Sequence, residues 1–152
     1  MTDFATLTLS REYPCPPGRL FVLLTNPEAR AIWGAPSDDV VIEIDEADIR
    51  PGGSEVARCG PKDNPEFDVV AQFHAIEPDT RMVLTETLTV GGEMLSVSLV
   101  TTDLEATGTG TELTVTLQVA SLSGPETAAG YQEGWEGALA NLARLVGSEV
   151  AA

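Results

Sequence analysis

A chain of 152 residues with 43% hydrophobic content can bury roughly 70% of the surface its unfolded form exposes, and is too apolar to be disordered. Its eight Lys and Arg stand against 24 Asp and Glu, a formal net charge of −16, so its surface repels polyanions and argues against nucleic acid and anionic membranes as partners. With no long apolar run, no basic-then-apolar N-terminus, and two distant cysteines beside one histidine, the expectation is a single domain over residues 1–152. It would be cytoplasmic, with no membrane span, signal peptide, zinc set or cofactor.

Residues 5–13, ATLTLSREY, alternate Leu7 and Leu9 with hydroxyl residues and predict a strand. Pro14, Pro16 and Pro17 break it, and the apolar run GRLFVLLT over 18–25 predicts a short helix. Asn26 is placed to cap a second short helix, PEARAIW, with Pro27 in its first turn and Gly34 at its end. Strands are predicted over 39–49, 54–60, 66–78, 81–90, 93–106 and 111–121. Turn residues separate them at short intervals, which predicts antiparallel hairpins rather than crossovers. One turn, Pro51-Gly52-Gly53, has the composition of a phosphate loop. An alternating strand follows it instead of a helix, so it reads as a tight reversal in which proline fixes φ and glycine admits positive φ.

From Ser123, a candidate N-cap, the period changes. Ala128, Tyr131, Trp135, Ala138, Leu139, Leu142 and Val146 recur at spacings of three and four. That is one stripe of a helix of about 22 residues ending near Gly147, roughly 33 Å long. Such a helix needs an apolar support, and one face of the sheet is the candidate. The predicted fold class is α+β: a strand, two short helices, six strands and a long C-terminal helix gripped by a curved antiparallel sheet, with room for a cavity between them.

In this order the chain resembles the START-related helix-grip (SRPBCC, Bet v-like) superfamily. Within it, the landmarks are similar to the branch named after the activator of the heat-shock-protein (Hsp) ATPase. Arg11, Tyr13, Pro16, Leu20, Phe21, Thr25, Pro27, Glu28, Trp33, Gly34 and Pro36 fall on the frame of that branch's opening. Asp48, Arg50 and Pro51-Gly52-Gly53 match its glycine-pair turn, and Ile76, Pro78, Arg81, Thr85 and Glu86 echo its middle strands. Gly108, Gly110, Thr111, Leu113 and Thr114 match the turn before the last strand, and Gly134, Trp135, Leu139 and Leu142 match the C-terminal helix. Cys15 stands where alanine is usual, and one tryptophan stands where a pair is common.

The resemblance implies a cavity for lipids, polyketide-like aromatics or other apolar small molecules, and it implies no single reaction. Its frame turns the face of Val70, Gln72, His74 and Ile76 toward the helix. His74 is then either a polar group of the cavity, with Glu86 on the next strand as partner, or a structural histidine. Trp135 and Tyr131 line the cavity or the core, Trp33 lies near the mouth, and Met82 suits an adaptable apolar wall. The expected cavity set is Trp33, Gln72, His74, Met82, Glu86, Tyr131 and Trp135. Cys59 is expected to be inert, since Arg58 points to the other face of its strand. No nucleophile elbow, phosphate loop, dinucleotide fingerprint or paired-carboxylate site emerges.

Three functions stay open: a binder of an apolar or amphipathic small molecule, a cyclase- or hydrolase-like enzyme using His74, and a chaperone-accessory or other protein-interaction module. For the third, Val69, Ala71, Phe73 and Ala75 form an outward apolar stripe if His74 points inward, and this would also allow a homodimer through the sheet.

Overall fold

The computed structural model of the chain describes residues 1–151, with side chains through residue 148; Ala152, the last residue of the expected domain, lies outside the described residues. Strand β1 (Asp3–Tyr13) is followed by helices α1 (Pro17–Thr25) and α2 (Pro27–Trp33). Strands β2 (Val40–Ala47), β3 (Ser54–Pro61), β4 (Phe67–Glu77), β5 (Arg81–Val90), β6 (Glu93–Ala106) and β7 (Thr111–Ser121) come next, then helix α3 (Glu126–Ala151). All strands pair antiparallel in one curved seven-stranded sheet of order β1-β7-β6-β5-β4-β3-β2. Only β1 leaves the run of hairpins, so α1 and α2 carry the chain from one sheet edge to the other. This is the helix-grip fold.

The local signals act as their chemistry requires. The Asn26 side chain accepts a hydrogen bond from the Ala29 N–H, which caps α2 beside Pro27. At Pro51-Gly52-Gly53 the Gly53 N–H donates to the Arg50 carbonyl at 2.8 Å, and Gly52 has φ of 84°. That is a type II turn, with proline and glycine each where the turn needs it. The start and end of α3 depart from expectation. The Ser123 hydroxyl meets the Thr127 hydroxyl rather than capping a backbone N–H, and the helix begins at Glu126. It then runs through Gly147 for 26 residues, because buried Val146 already fixes the last turns against the core.

The concave face of the sheet carries the core. Leu9 and Tyr13 of β1, Leu113, Val115 and Leu117 of β7, and Leu139, Leu142 and Val146 of α3 are almost wholly buried together. The Tyr13 hydroxyl donates to the Leu139 carbonyl at 2.9 Å and ties sheet to helix. The loop after α2 is also fixed to α3: the Asn141 amide donates to the Ala35 carbonyl, and Gly137 lies so close to Pro36 that a Cβ there would stand 2.7 Å from its carbonyl oxygen. Among the described residues no helix is long and apolar enough to cross a membrane.

Strand β4 corrects one expectation. Val69, Ala71 and Phe73 face the core, while Val70, Gln72 and His74 are exposed on the convex face. The opposite phase would bury Gln72 and His74 at a desolvation cost while exposing Phe73. His74 is the extra residue of a β-bulge, skipped between the pairs Phe73 with Leu84 and Ala75 with Val83. The bulge reverses the alternation, so Ile76 packs inward although His74 does not. The outward stripe of Val69, Ala71, Phe73 and Ala75 therefore does not exist, and the homodimer built on it loses its surface.

Candidate functional site: a cavity between sheet and helix

Side-chain size along the concave face decides where the core is solid and where it is open. Toward β1 and β7 the rows hold Leu, Val and Tyr. Toward β3, β4 and the N-terminal half of α3 they include Ala57 and Ala71 on the sheet, with Gly130 and Gly134 on the helix. Small residues on both sides leave a cavity of about 520 Å³, within the range of small-molecule sites. Its wall is chiefly apolar, with Ile42, Val69, Phe73, Leu84 and Leu88 contributed by three strands.

Five of the seven expected cavity residues line it: Trp33, Met82, Glu86, Tyr131 and Trp135. Trp33 is buried in the wall, and its indole N–H donates to the Leu23 carbonyl at 2.9 Å. Gln72 and His74 are not in the cavity. On the convex face His74 Nε2 lies 2.9 Å from the Thr85 hydroxyl, with the whole sheet between it and Glu86, so the proposed His74–Glu86 pair does not form.

The polar groups of the cavity stand in one transverse row. Across neighbouring strands the register sets Glu55 beside Ala71, Ala71 beside Glu86, and Glu86 beside Ser98. The two acidic residues thus flank an alanine, their backbones roughly 10 Å apart at the ordinary strand spacing. The next row adds Ser96, whose hydroxyl is 2.8 Å from the Tyr131 hydroxyl. From α2, Arg30 reaches over to an ion pair with buried Glu55.

Glu86 has no such partner. Burial raises its pKa to about 7; Arg30 opposes the shift and Glu55 adds to it. Burial also raises Tyr131, with a smaller push from Glu86. Cys59 is pushed up to about 11 by burial and then by Glu86 and Asp68, so it stays a thiol at neutral pH. Cys15 and Cys59 do not form a disulfide. Ser98 Oγ is buried with no hydrogen-bond partner. It lies near enough to Tyr131 to favour the phenolate slightly, without reaching hydrogen-bond geometry. Among the described residues no group of three or more His, Cys, Asp and Glu could hold a metal ion.

The sequence reading missed Arg30, Glu55, Ser96 and Ser98. The signal was present for part of the set. Glu86 shares its strand face with Met82, Leu84 and Leu88, and Ser96 and Ser98 share theirs with Val100 and Leu104. Polar residues in the apolar phase of a strand mark either an error of phase or a site.

Residues 14–147 match a family model described as Activator of Hsp90 ATPase homolog 1-like protein. Nothing among the curated proteins matches the chain. Among solved structures, a Rhizobium loti protein is 35% identical, with 95% of this chain and 98% of that one aligned at a TM-score of 0.84. A Rhizobium leguminosarum protein is 27% identical over 97% of both chains, also at 0.84. A Chromobacterium violaceum protein, 24% identical over 93% and 96% at a TM-score of 0.82, supports the fold alone.

Proposed function

The chain belongs to the family of Activator of Hsp90 ATPase homolog 1-like proteins, and from that membership we propose that it binds an apolar or amphipathic small molecule in the cavity between the sheet and α3. The observation that carries this reading is the cavity itself: about 520 Å³, chiefly apolar, with its polar groups gathered in one row. Apolar burial supplies about 0.8 kcal/mol per methylene removed from water, so a ten-carbon tail brings ample driving force even after the cost of association. The polar row then sets the orientation of the head group.

An enzyme using His74 is not carried forward, since that side chain lies on the far side of the sheet from the cavity. Chaperone contact follows from the family's name only, and no surface feature of the described residues favours it over small-molecule binding.

Trp33 and Trp135 both line the cavity, which provides the test. Native mass spectrometry of the purified protein should show a retained small molecule. Titration with ten-carbon amphiphiles should shift tryptophan emission saturably at one ligand per chain. A protein that purifies empty and gives no saturable change across a broad library of lipids and aromatics would overturn the proposal.

A further inference from the structure

We propose that the occupant of the cavity carries one positive charge: an amphiphile whose protonated amine sits against Glu86 while its tail fills the apolar wall. This rests on the cavity-binding reading and specifies its ligand class.

The charge balance of the wall comes first. Arg30 is the only cation among the described lining residues, and Glu55 engages it in an ion pair. Glu86 is left as one carboxylate without a counter-charge, facing a space walled by hydrocarbon. Groups from every neighbouring element face it. Strand β3 brings Glu55 and the thiol of Cys59, α2 brings Arg30, and α3 brings Tyr131. Strands β4 and β6 place Ala71 and Ser98 beside it, neither of which titrates. Among the described residues Arg30 is the one cation that acts on Glu86, and Glu55 already holds it in an ion pair, so a ligand cation supplies the missing charge.

A second observation is the Tyr131 hydroxyl, which lines the same cavity as Glu86 and lies 2.8 Å from the Ser96 hydroxyl. Ser98, buried and without a hydrogen-bond partner, stands beside Glu86 in the register and adds to the polar surroundings of the carboxylate. An ammonium group offers three N–H donors, enough for Glu86 and the Tyr131 hydroxyl together. Tyr131, Trp135 and Phe73 lie in the same wall, and aromatic faces favour a desolvated cation. The field of the whole chain points the same way, because a net charge of −16 draws cations in and repels fatty acids and phosphates. The elevated pKa of Glu86 agrees: it is the mark of a carboxylate held without its counter-ion.

The test uses decylamine, decanol and decanoate, three probes with one tail and three head-group charges, titrated below their aggregation limits at pH 8. Decylamine should bind at least about tenfold tighter than decanol, and decanoate at least about tenfold weaker. Lowering the pH from 8 to 6 protonates Glu86 while the amine stays charged, so decylamine affinity should fall by about tenfold and decanol affinity should not change. Glu86→Gln should abolish both the amine preference over decanol and its pH dependence. This variant removes one of 24 acidic residues, so attraction of amines to the general surface would survive it and is thereby distinguished. Equal binding of decylamine and decanol by the wild-type protein would sink the amine proposal and leave the cavity-binding reading intact. Failure of all three probes would overturn both. The wild-type series decides the matter even if the variant does not fold.

Discussion

The two halves of α3 lie on the same sheet and do opposite things. The C-terminal half sets Leu139, Leu142 and Val146 against Leu113, Val115 and Leu117, and no space is left. The N-terminal half sets Gly130, Tyr131, Gly134 and Trp135 over Ala57 and Ala71, and leaves about 520 Å³. A tyrosine bridges helix and sheet in each half, Tyr13 to the Leu139 carbonyl in one and Tyr131 to Ser96 in the other. The backbone of α3 approaches β1 and β7 but not the strands under its N-terminal half, so the space there is bridged only by side chains. One half supplies stability, and that leaves the other free to stay open and carry uncompensated polar groups.

The largest expected effect lies in the solid half. Leu142 is fully buried, so Leu142→Ala should cost about 3 kcal/mol in urea denaturation, transfer and cavity terms together. Leu88 lines the open half and is already part-exposed to the cavity, so Leu88→Ala should cost about 1 kcal/mol. Equal costs would mean that the two halves are packed alike in solution.

Next in size is a pH dependence that belongs to the open half alone. The folded-state pKa of Glu86 is about 7, against 4.5 for an unperturbed glutamate, so the folded state holds this proton where the unfolded state has released it. Stability should fall as pH rises from about 4.5 to about 7 and level off above, a loss on the order of 3 kcal/mol from this group. Glu86→Gln should remove that slope and leave the variant the more stable protein at pH 8. An unchanged slope in the variant would place the pH dependence elsewhere, such as general repulsion among the acidic residues.

Much of the fold was legible in the sequence, for a physical reason. Strand and helix periods, Asn26-Pro27 and Pro51-Gly52-Gly53 report local backbone requirements, which the chain states directly. So does the apolar stripe from Tyr131 to Val146. Which residues meet across the sheet is not local. Glu55, Glu86 and Ser98 lie in three strands and become neighbours only through register, and Arg30 joins them from a helix. His74 was misplaced together with Val70 and Gln72 because the family frame set the phase of β4 the wrong way round; the bulge accounts only for Ile76 packing inward, and nothing in Phe73-His74-Ala75 announces it. The side chains of β4 did hold the answer: Asp68, Gln72 and His74 share the polar face, and that pattern outweighs the family frame.

Two glycines one turn apart on α3 give the contrast opposite signs. Gly137 abuts Pro36, and a Cβ there would lie 2.7 Å from its carbonyl oxygen and 2.8 Å from its Cβ. Backbone cannot give way as a flexible side chain can. Gly137→Ala should cost about 2 kcal/mol by thermal or urea denaturation, the gain in helix propensity offsetting only part of the clash.

Gly134 carries the smallest effect and the sharpest sign. A Cβ there meets nothing within 4 Å, because it points into the open half. Gly134→Ala removes backbone freedom from the unfolded chain and favours the helix, so it should stabilise by up to about 1 kcal/mol. The added methyl should also take a little of the cavity and weaken decanol binding slightly. If the N-terminal half of α3 instead settles onto the sheet in solution, the same methyl would strike Ala71 or its neighbours and the substitution would destabilise. The sign of one alanine's effect thus reports whether the cavity is open in the protein at rest.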